Sequence, residues 1–129
     1  MHSNPKTAYE KISKKTIPGR EVEASVLSQA AQRLKACQEQ LALQGASASL
    51  IQALKYNQQL WTIFQVELAE NDHPMPTDLR VSLLRLSQFI DRRTFDIMAS
   101  PTAEKLSILI DINKNIASGL LQQQRDAAA

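Results

Sequence analysis

Between Leu50 and Leu68 the chain carries Leu50, Ala53, Leu54, Tyr56, Leu60, Trp61, Ile63, Phe64 and Leu68. At about 100° per residue these side chains fall mostly on one broad arc of a helix. The arc covers roughly half the circumference, wider than the ~100° stripe of an ordinary surface helix. Lys55, Gln58, Gln59, Thr62 and Gln65 fill the opposite side. A helix so apolar on one half contacts more than one neighbour, as a central helix of a bundle does. Asn57 falls near the middle of the arc, where burying its amide unpaired would cost on the order of 2 kcal/mol. Asn57 and the later Asn113 therefore read as buried hydrogen-bonding posts that fix helix register.

The surroundings agree with an all-α chain. Gly (3) and Pro (5) are scarce, and strand-type alternation of Val, Thr and aromatics is absent. With 129 residues, 43% hydrophobic and 22% charged, the sequence can bury one real core and lies far from a disordered composition. Cys37 is the single cysteine, which excludes an intramolecular disulfide and a CxxC zinc site. No run of ~18 apolar residues could span a bilayer. The basic start lacks the apolar stretch of a signal peptide, so the expected compartment is the cytoplasm.

Charge is uneven. Residues 1–20 hold five basic residues against Glu10 alone, whereas the remainder holds 10 basic and 12 acidic. Residues 1–17 form a basic lead in which Tyr9 and Ile12 could share one side of a short helix. Pro18 suits a first helical position, with Glu21 and Glu23 near the positive end of the dipole. Val22, Val26, Ala30, Leu34, Cys37 and Leu41 then recur at three- or four-residue steps, and Gly45 is a good terminator. Ser47 or Ser49 caps the second helix, which reaches about Glu70. Pro74 and Pro76 forbid continuation through residues 71–76. Thr77 is the expected cap of the third helix, whose core row is Leu79, Leu83, Leu86, Ile90 and Ile97. Ser100-Pro101 opens the last helix, carrying Leu106, Leu109, Ile110, Asn113, Ile116, Ala117 and Leu120. The tail 122–129 has no apolar partner and is expected to fray. The reading is one domain over 18–121, a bundle of four long antiparallel helices behind a short basic lead.

The inventory for chemistry is thin. Glu70-Asn-Asp-His73 has the E-x-x-H spacing of a di-iron ligand pair, but such a site needs two pairs and two further glutamates. Pro74 also ends the helix at this point, so a solvated loop is expected and no metal or cofactor. Cys37 lies on the core stripe, where a thiol behaves as a small hydrophobe. Asp91 and Asp96 point to different faces, and neither a phosphate-binding glycine loop nor a G-x-S-x-G is present. A non-enzyme is expected. The basic lead could attract phosphates, but it offers only Tyr9 for stacking. Arg85 and Arg92 share a helix face beside Asp91 and Asp96, as an ordinary solvated face would. What stands out is apolar surplus: the wide arc of the second helix, and Phe89, Phe95 and Met98 off the third helix's core row. A bundle that binds another helix needs such a surplus.

Several stretches are similar to one family. They are Arg20-Glu-x-Glu23 with Leu27 and Ala30-Ala31, and Ala53-Leu-x-Tyr56-Asn57-x-x-Leu60-Trp61-x-Ile-Phe64. Asp72-x-Pro74-x-Pro76, Leu79-Arg80, Phe89-Ile-x-Arg92-Arg93 and Leu109-Ile-x-Ile-Asn113-x-x-Ile116-Ala117-x-Gly119-Leu120 follow in order. Together, over about residues 8–121, they resemble the flagellar biosynthesis regulator family FlaF. Met75 stands where a leucine is expected between the prolines, a swap that nearly conserves volume. The resemblance implies a small cytoplasmic protein needed for flagellar filaments and a partner of flagellin, with a companion regulator acting on the flagellin message. The expected activity is therefore that of a secretion chaperone, covering the amphipathic terminal helices of unassembled flagellin and coupling its synthesis to export. Tyr56, Leu60, Trp61 and Phe64 are the expected contacts, with Phe89 and Arg92 at the rim. The alternative is a post-transcriptional regulator in which Lys11, Lys14, Lys15 and Arg20 meet the flagellin mRNA, or which acts through a companion regulator. An adaptor of the export apparatus that never touches flagellin comes third.

Overall fold

The computed structural model describes Pro5, residues 20–70 and residues 75–128. The rest of the basic lead, where a short helix is expected, Pro18, and the loop with His73 and Pro74 lie outside the described residues. Four helices make up the rest: α1 Arg20–Gln44, α2 Ala48–Leu68, α3 Thr77–Ala99 and α4 Ala103–Ala128.

Each boundary has a local cause. Gly45 terminates α1 with φ +82, and its N–H donates to the Leu41 carbonyl at 3.1 Å. Only glycine takes that left-handed conformation freely. Ser47 holds the extended cap position of α2, although its hydroxyl makes no capping bond. The start of α3 is one residue earlier than expected. Thr77 is already helical and Pro76 occupies the cap position, because the Pro76 carbonyl accepts the Arg80 N–H at 2.9 Å. Thr102, rather than Ser100, caps α4: its hydroxyl accepts the Lys105 N–H at 3.3 Å. The helix then continues to Ala128, through the stretch expected to fray, and Gln122 Nε2 donates to Asp126 Oδ1 at 3.0 Å.

The helices form a closed ring in the order α1, α2, α3, α4, each antiparallel to the next. Late α1 meets early α4, where Gln38 Nε2 donates to the Ala103 carbonyl at 2.7 Å and to Ser107 Oγ at 2.8 Å. The α1–α4 pair is the most extensive of the bundle, and the α3–α4 pair the least. Ala24, Ala30 and Ala31 of α1 and Ala117 of α4 are buried. Small side chains of this kind let helix axes approach closely. Between α2 and α3, Gln65 Nε2 donates to Ser87 Oγ at 2.8 Å, a partly buried polar link that fixes their relative rotation. The single core draws on all four helices, from Val26, Leu27 and Leu34 through Leu54 and Leu60 to Ile90, Ile97, Leu106 and Leu109.

Candidate functional site

The wide arc of α2 is spent on the bundle itself. Tyr56, Leu60, Trp61 and Phe64 are all buried, Leu60 and Trp61 almost completely, at 0% and 1% exposure. Trp61 and Phe64, three residues apart on one helix, meet edge to face with ring centroids 5.7 Å apart. Such pairs contribute about 0.5–1.5 kcal/mol beyond their burial. The structure thus places all four α2 residues in the interior, with Trp61 and Phe64 in contact and Tyr56 on the side toward α1. Phe89 is half-buried under the Arg93 guanidinium, 5.6 Å from its ring centre, and Arg92 stands exposed on α3. The six do not share one surface.

A polar relay crosses the core at this level. The Trp61 indole N–H donates to Asn113 Oδ1 at 3.0 Å, and Asn113 Nδ2 donates to Asn57 Oδ1 at 2.6 Å. Both asparagines have 0% exposure, so α2 and α4 are tied across the bundle diagonal through a fully dry contact. The relay ends at Asn57 Nδ2, which has no partner. The asparagine pair was legible in the sequence as two polar residues on apolar arcs. That the indole completes it was not, because nothing local to residue 61 specifies its partner 52 residues away.

Tyr56, next to Asn57 in sequence, faces α1. The Arg33 guanidinium lies over its ring, 4.2 Å from the centre, and its hydroxyl is buried without a hydrogen-bond partner. Burial raises the hydroxyl pKa, and the nearby Arg33 charge partly offsets this. Cys37 lines the same region, its thiol donating to the Ser49 carbonyl at 3.5 Å. Burial pushes that thiol up as well, which leaves less thiolate and a poorer nucleophile.

Near the C-terminal end of α2, Leu27, Trp61, Phe64, Leu68 and Leu83 line a small, partly open apolar pocket of about 30 Å³, together with Glu67 and Glu23. Burial raises the Glu67 carboxyl above the usual range, and the neighbouring Glu23 and Glu70 add to the shift. Among the described residues no group of three or more His, Cys, Asp or Glu side chains is placed to hold a metal ion. None of the described helices is long and apolar enough to cross a membrane.

A family model for the flagellar protein FlaF matches residues 5–120 of the chain. The chain belongs to the FlaF family. No curated protein and no solved structure matches it. The FlaF match covers all of α1, α2 and α3, together with α4 as far as Leu120, the last buried residue of the core. This FlaF chain is thus a flagellar protein whose described residues form an antiparallel helical bundle.

Proposed function

We propose that this FlaF protein binds unassembled flagellin in the cytoplasm as a non-enzymatic secretion chaperone, coupling filament synthesis to export. The observation that carries the reading is where the apolar side chains stand. The bundle completes its own core, yet Phe95 remains 62% exposed, Val66 64% and Leu43 84%. Exposed apolar side chains on rigid helices suit capture of another amphipathic helix. Flagellin's terminal segments are of that kind, and they bury their apolar faces only on assembly. A partner that covers those faces before export would keep the subunits apart.

In this reading Trp61, Leu60 and Phe64 act from inside, by holding α2, α3 and α4 in place. Arg92 and the half-buried Phe89 are contact residues. The reading is tested by titrating the purified protein calorimetrically with monomeric flagellin at low and high salt, and separately with the flagellin mRNA leader. Flagellin binding with a negative heat-capacity change and no heat from RNA supports it. Salt-sensitive RNA binding without flagellin binding overturns it, and makes the mRNA regulator the working reading.

A further inference from the structure

The outward face of α3 carries a second apolar stripe, on the side away from the core. The core side of the helix is Leu83, Ser87, Ile90, Thr94 and Ile97, all buried. Val81, Leu84, Gln88 and Phe95 follow one another at steps of three, four and seven residues along the outward flank, where Leu84 also packs against the core and Gln88 is a polar interruption. Such heptad spacing is what a facing helix requires. Phe95 is 62% exposed and Val81 38%, while Leu84 is half-buried. Val81 and Phe95 lie about 21 Å apart along the axis, enough for roughly four turns of a partner.

The helix cannot roll to hide this stripe. Gln65 of α2 is bonded to Ser87 at 2.8 Å and reaches Asp91 at 3.4 Å, which pins one side of α3. Near its C-terminal end, Asp96 forms ion pairs with Lys105 of α4 at 3.6 Å and with Arg93 at 3.5 Å.

Charge decides the occupant. Arg85 and Arg92, seven residues apart and both exposed, border the stripe along one edge. Neither takes part in an ion pair among the described residues, whereas Asp96 is already engaged by Arg93 and Lys105. Two such cations beside an apolar stripe match a helix whose apolar seam is bordered by carboxylates at the same period. Three aspartates on α3 itself, Asp78, Asp91 and Asp96, make the face a poor match for a phosphate backbone.

We propose that the outward face of α3, with Val81, Leu84 and Phe95 as the apolar seam and Arg85 and Arg92 as its charged border, is the docking surface for an acid-bordered amphipathic helix. This rests on the flagellin-binding reading, and it extends the contact from Arg92 along the outward flank of α3.

The test compares wild type, Phe95→Asp and the double variant Arg85→Glu/Arg92→Glu in calorimetric titrations with monomeric flagellin at two salt concentrations. Circular dichroism melts run in parallel, and sedimentation reports the oligomeric state. All three substituted side chains are exposed, so the melts should coincide with wild type. Phe95→Asp should weaken flagellin binding about tenfold or more. The double variant should bind flagellin more weakly at low salt and lose the salt dependence of the wild type. Wild-type binding that survives both variants overturns the α3 surface and leaves flagellin binding standing. Absence of wild-type binding overturns the flagellin reading and this inference with it. Self-association of the wild type that Phe95→Asp abolishes would make a second copy the occupant and overturn the acid-bordered partner.

Discussion

Trp61 and Asn113 meet across the bundle diagonal, indole N–H to amide oxygen at 3.0 Å, with no solvent reaching either group. Because Asn113 also donates to Asn57, one amide on α4 satisfies two groups on α2. Its removal therefore strands two buried polar atoms at once. Asn113→Leu should destabilise the protein by about 2–4 kcal/mol, read as a lower urea midpoint. Adding Asn57→Leu and Trp61→Phe should recover most of that loss, since each addition removes a stranded group. A triple variant no more stable than Asn113→Leu alone would mean that shape, and not polar pairing, sets the cost.

How much of this was legible beforehand differs from residue to residue. The four helices follow from periodicity and from punctuation by Gly45 and Pro76, so their number and order needed no tertiary information. Asn57 and Asn113 announced themselves as polar residues on apolar arcs. The role of Trp61 did not, because a wide apolar arc reads equally as a two-sided core helix or as a binding face. Neighbours decide between the two: α1 and α3 flank α2, α4 meets it across the core through Asn113, and the arc closes. The outward stripe of α3 was visible only in part. Phe95 lay off the core row, but Val81 and Leu84 became its companions only once the core side was known.

Gly45 offers a test of backbone conformation separate from packing. Its φ is +82, and a Cβ added there would meet nothing within 4 Å. Gly45→Ala should therefore cost about 1–2 kcal/mol purely through the left-handed conformation. Gly45→Asn should cost less, since asparagine tolerates that region. Thermal melts of the three proteins check the ranking.

Cys37 should be silent in the native state. With 8% exposure and a raised thiol pKa, it presents little thiolate to a disulfide reagent. Modification by an aromatic disulfide should track global or local opening and accelerate in denaturant. A fast reaction in native buffer would mean that the junction between α1 and α2 opens readily.

Glu67 sets a pH dependence whose sign follows from its surroundings. Burial first, then Glu23 and Glu70, raise its carboxyl in the folded protein above the unfolded value of about 4.3. Between those two values the folded state binds more protons than the unfolded state, so stability falls as pH rises through the window. The penalty is fully present above the folded value and disappears below the unfolded one. Glu67→Gln removes the charge while keeping the shape of the side chain at the pocket. The variant should melt higher than wild type at pH 7, and the two curves should converge as pH approaches 4. If Glu67→Gln instead lowers the melting temperature at pH 7, the carboxylate is making a favourable contact that outweighs its burial and the repulsion from Glu23.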